Sequence, residues 1–284
     1  MSGTLLVTDP EHAELAEATL WEWIARADRT VNRFLPDSEI SRCNANGGLS
    51  DASDDFLMFL RAARDVADLT DGLCDPTVLP ALLAWGYDRD FAEIATTNTQ
   101  IQQPNEACRG IASVTISGRT ITSASSLDFG ASAKALVADA IASELAPLCG
   151  VLVEIGGDVA VHTSPHDTPW VIGVAPDGPH EQAPKIGVSN GGVATSATTY
   201  RTWSTSRGVA HHIIDPRTGA PATSRWSAIT VAAPSCLFAN ALATAGFMWD
   251  DDAPWHIGQS GWAARLVGHD GDVVTVGSWP KDGE

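Results

Sequence analysis

Four short glycine- and aspartate-rich segments hold the residues that could do chemistry in this chain. They read Leu127-Asp128-Phe129-Gly130-Ala131-Ser132-Ala133-Lys134, Glu154-Ile155-Gly156-Gly157-Asp158, Ala194-Thr195-Ser196, and His211-His212-Ile213-Ile214-Asp215-Pro216-Arg217-Thr218-Gly219. Each sets a carboxylate, a hydroxyl or an imidazole beside small residues, where backbone can come close to a ligand. None is a Cys/His metal cluster, a GxGxxG or a P-loop. Together they point to one composite polar site that binds a diphosphate and its metal.

Taken singly, each residue has a plain alternative. Asp128 follows a strand-like stretch and precedes a helix, so it either caps free N–H groups or receives ligand hydrogen bonds. Lys134 is one of few basic residues; one turn into a small-residue helix it can reach a phosphate. Gly156 and Gly157 end an apolar strand and either let a ligand approach or form a bulge or tight turn with a surface aspartate at Asp158. His212 can serve as general base or acid near neutral pH, beside a stiff Asp215-Pro216-Arg217-Thr218-Gly219 turn. Asn240 and Thr244 are four apart on a late helix and share a face. They either present two oxygens to a hard cation such as Mg²⁺ or bond within a close-packed alanine helix. Thr195, Ser196, Thr198, Thr199 and Tyr200 make a hydroxyl-rich turn after a strand.

The elements that must position these residues follow from periodicity. Glu11–Thr30 reads as a helix with Leu15, Ala18, Trp21 (or Leu20), Ile24 and Ala27 on one face. Ser53–Leu69 reads as a second, capped by Ser53, with Phe56, Leu57, Leu60, Ala63 and Val66 together. Between them, Pro36–Asn44 is polar and turn-rich. Pro80–Trp85 gives a helical turn, and 112–116 with 120–122 a hairpin around Ser117-Gly118-Arg119. Ser132–Leu148 and Ala239–Trp249 are helical. Strands are expected at 151–155, 159–162, 170–174, 192–195 and 227–233, with a last hairpin from 261–267 and 272–276. Residues 164–187 read as excursion loops. Helices lead and strands follow, which argues an α+β fold in one domain spanning residues 1–284.

Bulk properties narrow the partners. The chain has 284 residues, 17 basic against 35 acidic, for a net charge of −18. Such a surface repels nucleic acid and anionic membranes, and it repels an anionic substrate unless a cation or oriented N–H groups act locally. No apolar run is long enough for a membrane helix. The N-terminus carries neither a secretory nor a lipoprotein signal, so a cytoplasmic location is expected. The five cysteines are too scattered for zinc or a disulfide framework, and reduced thiols are expected.

In order and spacing these motifs resemble the ApbE family, the FAD:protein FMN transferases. The likeness begins at Asp37-Ser38-Glu39-Ile40-Ser41-Arg42-Cys43-Asn44 and runs through Asp75-Pro76-Thr77-Val78-Leu79-Pro80 and Trp85-Gly86. It takes in the four segments above and ends at Ala239-Asn240-Ala241-Leu242-Ala243-Thr244-Ala245. The resemblance implies an α+β domain of mixed and antiparallel sheets with flanking helices and an FAD cleft between lobes. It implies Mg²⁺-dependent transfer of FMN from FAD to a threonine or serine hydroxyl of an acceptor flavoprotein, with release of AMP. By the same likeness Asp128, Lys134 and Ile214 sit on FAD, with Gly156, Gly157, Asp158, Thr195 and Ser196 also at the cofactor. The Ala131 carbonyl, Asn240 and Thr244 hold Mg²⁺, and His212 takes the hydroxyl proton. Three positions depart from the pattern. Asn240 stands where many members have a metal-binding aspartate, Glu154 replaces an asparagine, and Ala135 replaces a glycine. The alternatives are an FAD pyrophosphatase, with water as acceptor, and an FAD-binding protein without catalysis.

Overall fold

The computed structural model describes residues 3–94, 98–101, 106–175 and 183–280. In chain order these form β1 (Gly3–Val7), α1 (Ala13–Val31), α2 (Glu39–Asn46), β2 (Gly48–Leu49), α3 (Asp54–Leu69), α4 (Leu79–Ala84), α5 (Phe91–Ile94), β3 (Asn98–Thr99), β4 (Val114–Ser117) and β5 (Thr120–Ser123). They continue with α6 (Ala133–Leu145), β6 (Val151–Ile155), β7 (Asp158–His162), β8 (Trp170–Gly173), β9 (Lys185–Val188), β10 (Asn190–Ala197), β11 (Thr202–Thr205) and β12 (Gly208–His211). The last are β13 (Ile214–Asp215), β14 (Ala220–Pro221), β15 (Trp226–Ala233), α7 (Cys236–Trp249), α8 (Ala253–Gln259), β16 (Ala263–Gly268) and β17 (Val273–Val276). Two compact units emerge. The first holds Met1–Ala25, Lys134–Ala197 and Ser224–Glu284; the second holds Arg26–Ala133 and Thr198–Thr223.

The first unit is built on a seven-stranded sheet in the order β1-β6-β7-β10-β15-β16-β17, antiparallel throughout. One cluster beside it packs Leu152, Val159, Val161 and Val193 against Ile172 and Ile186 of the β8–β9 hairpin. The stretch expected as excursion loops thus holds, besides the expected strand at β8, a second strand, β9, that pairs with it and supplies core. Helix α7 is apolar around most of its girth, as a largely buried helix must be, with Asn240 and Thr244 as its polar face, and it packs on β10 and β15. Helix α1 is present, but the expected inward face is displaced. Leu15 and Trp21 are exposed, and Ala16, Thr19 and Trp23 point inward. Trp23 donates its indole N–H to Glu144 at 2.9 Å, a polar tie that apolar periodicity does not encode.

The second unit has smaller sheets, ordered β2-β5-β4, β12-β11-β3 and β13-β14. Helix α3 forms as its pattern demands. Ser53 Oγ accepts the Phe56 N–H at 3.0 Å, two aspartates occupy the first turn, and Phe56, Leu57, Leu60, Ala63 and Val66 are all buried. The polar stretch expected as turns is instead helix α2 from Glu39. Ser38 caps it by accepting from Ser41 N, and Gly47, at φ 68°, ends it. Helix α2 is held from its polar side: Glu39 accepts from the Ser53 N–H at 2.8 Å and binds the Ser53 hydroxyl.

Candidate functional site

In the first unit, four elements carry expected site residues. Strands β6 and β7 join through Gly156-Gly157, at φ 60° and 94°. Two consecutive positive φ values are what a two-residue hairpin turn requires, and glycine meets that at no steric cost. The chain reverses here, as the tight-turn alternative has it. Asp158 then opens β7 and is only 2% exposed, not the surface residue of the plain alternative. Lys134, at the start of α6, places Nζ 2.7 Å from Asp158 Oδ2 and 3.4 Å from the Gly156 carbonyl. Its side chain is 19% exposed and that of Asp158 3%. A buried carboxylate is thus neutralised by the lysine expected to meet phosphate, and an anion reaching Lys134 shares it with Asp158.

Thr195 and Ser196 lie inside β10, not in a turn after it. Thr195 Oγ1 is 2.9 Å from Thr230 Oγ1, its cross-strand partner in register. Ser196 Oγ is 3.1 Å from Thr244 Oγ1 on α7. Asn240, one turn earlier, is 7% exposed. Asn240 and Thr244 therefore share the helix face expected from their spacing, with Ser196 beside it.

In the second unit Asp128 and His212 sit between elements, and Ile214 opens the short strand β13. Asp128 lies in the segment before α6. Its Oδ1 accepts the Gly130 N–H at 2.6 Å, and its Oδ2 lies 2.6 Å from Arg33 Nε. Arg33 sits at the corner of two rings: its guanidinium carbon is 4.2 Å from the centre of the Phe34 ring and 4.8 Å from that of Tyr87, the two rings are themselves 6.1 Å apart, and Arg33 donates to the Tyr87 carbonyl. Both charged side chains are nearly buried, at 9% and 12% exposure. The loop itself is clamped. Asn44 makes a two-way bond with the Leu127 backbone, at 2.9 and 2.7 Å, and the Asp128 N–H donates to Pro76 O at 2.8 Å. Pro76 is held by its neighbour Asp75, whose two oxygens accept from Thr77 N and Oγ1 and from Ile111 N. The Asp75-Pro76-Thr77 and Glu39–Asn44 motifs thus act as scaffolding for the Asp128 loop. Cys74, next to them, is fully desolvated; its thiol is pushed up to about 12 and stays neutral.

His211 and His212 differ in employment. His211 Nδ1 accepts the Ile213 N–H at 3.3 Å, so its Nε2 carries the proton and donates to the Ala222 carbonyl at 3.0 Å. It braces the chain. His212 follows in the link between β12 and β13, half-buried. The turn beyond it is stiff. Asp215 O accepts from Thr218 N and Gly219 N, and Asp215 Oδ1 from Arg217 N. Trp85 Nε1 donates to the Gly219 carbonyl at 3.0 Å. Ile214 is 5% exposed, within a cluster containing Leu79, Leu82, Trp85, Ile94 and Trp203. Its side chain is core, which leaves its backbone for any ligand.

The pairings on Asp128 and Asp158 explain why isolated residue types were hard to read: each carboxylate is half of a buried ion pair. Sequence reading missed Arg33 and Asp139. No local signal singles out Arg33, which follows Arg26 and Arg29 along the same stretch. Among the described residues no group of three or more His, Cys, Asp or Glu could hold a metal. The expected donors are instead a carbonyl, an amide and a hydroxyl. Such hard oxygens suit Mg²⁺, but all are neutral, so the charge balancing the cation has to come from its ligand.

A family model described as the ApbE family matches residues 2–266. The FAD:protein FMN transferase of Haemophilus influenzae is 29% identical over 267 residues, 88% of this chain and 76% of that protein. The FAD:protein FMN transferase of Vibrio cholerae is 29% identical over 225 residues, 75% of this chain and 67% of that protein. Among solved structures, the ApbE protein of Thermotoga maritima superposes with a TM-score of 0.82 at 24% identity, covering 96% of this chain and 93% of its own. The flavin transferase ApbE from Vibrio cholerae gives 0.71 at 22% identity, over 98% and 97%. These superpositions establish the mixed α+β fold.

Proposed function

The chain belongs to the ApbE family, and from that premise we propose that it transfers the FMN half of FAD to a threonine or serine hydroxyl of an acceptor flavoprotein, releasing AMP. The observation that carries this reading is the extent of the family match. Residues 2–266 take in all of the second unit and every expected site residue of the first. The match supports reading the 284 residues as one working domain.

His212 is assigned the acceptor proton. It takes the hydroxyl hydrogen as the oxygen attacks the FMN phosphorus; the bond from that phosphorus to the AMP phosphate oxygen breaks, and AMP leaves. A positioned base of near-neutral pKa contributes about 10²- to 10⁴-fold. His211 cannot take this part without surrendering its bonds to Ile213 and Ala222. Asp128, held by Arg33 and Gly130, offers a fixed carboxylate for ligand N–H groups. Lys134, tied to Asp158 beside Gly156, offers its remaining N–H groups to phosphate oxygens. Asn240, Thr244 and the Ala131 carbonyl would hold Mg²⁺, which neutralises diphosphate charge when bound.

Incubation with FAD, Mg²⁺ and candidate acceptor flavoproteins tests the reading. The expected result is one AMP released for each flavin attached, with the acceptor fluorescent on a denaturing gel. AMP and free FMN from FAD alone, at the same rate, would mean a pyrophosphatase. Tight FAD binding with no AMP under any acceptor or metal would mean a carrier.

A further inference from the structure

Asp139 lies on α6, five residues after Lys134. Its Oδ1 accepts the Cys236 N–H at 2.8 Å and its Oδ2 the Leu237 N–H at 2.9 Å. Cys236 and Leu237 are the first two residues of α7. The next amide, Phe238 N–H, donates to Ser235 Oγ at 3.2 Å. The first three amides of α7, which have no partner within the helix, are all taken by side chains. The same turn is pressed from another side: a Cβ at Gly192 of β10 would overlap the Cys236 backbone. Further along, Thr244 meets Ser196 of β10. The start of α7 is therefore fixed against α6 and β10, and Asn240 lies one helical turn beyond it.

We propose that Asp139 is a positioning residue for the cation ligands of α7. Its carboxylate pins the first turn of that helix to α6, which sets the depth and rotation at which Asn240 and Thr244 present their oxygens. This rests on the flavin-transfer reading, in which those two residues hold Mg²⁺. A neutral asparagine caps a helix as well as an aspartate does, so a carboxylate here needs a reason. Burial, then the charge of Asp158, push the Asp139 carboxyl up to about 6 against the pull of the two N–H bonds. The charge acting on it is that of Asp158 of β7, itself paired with Lys134 of α6, while the buried Cys236 thiol stays neutral. With Asn240 in place of a carboxylate on α7, Asp139 supplies both acceptors on two oxygens and a negative charge within one turn of the ligand position.

Asp139→Asn keeps the shape, one acceptor and no charge. Compared with wild type, the Cys236 and Leu237 amides should exchange with solvent at least about tenfold faster in the protein without ligand, with Phe247 and Met248 unaffected. Half-saturating Mg²⁺ for the FAD complex, by calorimetry, should rise about tenfold, with FAD affinity in the absence of Mg²⁺ unchanged. Asp139→Glu, which restores charge and both acceptors, should recover part of that affinity. Unchanged exchange at Cys236 and Leu237 overturns the proposal. So does faster exchange with unmoved Mg²⁺ affinity, which would reduce Asp139 to an ordinary cap. Wild-type protein that binds FAD but no Mg²⁺ sinks the flavin-transfer reading and this proposal with it. Failure of the proposal alone shows as normal wild-type Mg²⁺ binding that the substitution leaves unmoved.

Discussion

In the first unit most site residues stand on regular elements, whereas in the second Asp128 and His212 stand between them. Lys134 opens α6, Asp158 opens β7, Thr195 and Ser196 lie within β10, and Asn240 and Thr244 within α7. Asp128 and His212 occupy segments with no ladder to hold them. A strand or helix satisfies its own backbone, so register alone aims its side chains. A loop has to be held by something else. In the second unit that something is side chains: Asn44 on Leu127, Arg33 on Asp128, Asp75 on Thr77 and Ile111, and His211 on Ile213 and Ala222. A polar substitution in the second unit should therefore disturb geometry, and one in the first unit should disturb charge.

The adjacent histidines give the largest effect and the cleanest break in this comparison. His212→Ala should slow transfer by about 10²- to 10⁴-fold while leaving FAD binding nearly intact. His211→Ala should instead lower stability, because the Ala222 carbonyl and the Ile213 N–H lose their partner, a cost of about 1–3 kcal/mol. Transfer rates and thermal melts on both variants check this. Equal turnover in wild type and His212→Ala would remove His212 from the chemistry.

Arg33→Ala comes next. It leaves the Asp128 carboxylate, 12% exposed, with the Gly130 N–H and no cation. Breaking a pair this buried costs about 3 kcal/mol, and the FAD dissociation constant should rise with it. Arg33→Lys should recover little, since a lysine lacks the planar fork that meets Asp128, the Tyr87 carbonyl and both rings at once. The pair of Arg119 with Asp51 and Asp54 is the control. Its carboxylates are 80% and 90% exposed, and Arg119→Ala should leave the melt essentially unchanged. If Arg33→Ala behaves like Arg119→Ala, the second unit is not braced by side chains.

The same contrast explains what could be read from the sequence. Helix α3 and the β4–β5 hairpin follow from apolar periodicity, because each buries one face, and strands β6, β10 and β15 follow from short apolar runs buried on both faces. The Gly156-Gly157 turn, Asn240 with Thr244, and the stiff turn after Asp215 follow from local spacing. Arg33 with Asp128, and Asp139 with Cys236, do not. Their partners are separated by 95 and 97 residues, and no local pattern reports a pairing made by tertiary structure. Helix α2 was hidden because its cap and polar contacts outnumber its apolar residues. The inward face of α1 was misplaced because an indole N–H bond to Glu144, not apolar area, orients Trp23.

A pH titration sharpens the first unit's side of the comparison. The Asp139 carboxyl is raised from 3.8 to about 6 in the folded protein. Between those values the folded state holds a proton that the unfolded chain has lost. Stability therefore falls as pH rises through the window from about 4 to 6, by roughly 3 kcal/mol in all. Asp139→Asn has no such proton. Its stability relative to wild type should improve by that amount between pH 4 and pH 7, read from denaturant melts at each pH. A constant difference across the window would mean that Asp139 ionises as it does in the unfolded chain.

Asn240→Asp is the smallest effect and the one that separates charge from geometry. The position is 7% exposed, and it lies one turn from the helix start that Asp139 holds, with Asp158 adding to the negative field on that carboxylate. A new carboxylate there meets two existing ones with only Lys134 to offset them. Without cation the variant should lose about 1 kcal/mol of stability, and with Mg²⁺ and FAD it should regain it. Half-saturating Mg²⁺ should fall severalfold, since the cation site gains a negative ligand without any change in helix register. Melts with and without Mg²⁺, alongside the Mg²⁺ dependence of AMP release, measure both sides. If the melt drops while half-saturating Mg²⁺ stays where it was, position 240 is a buried polar residue of α7 and not a ligand, and the charge attributed to the first unit has no cation to serve.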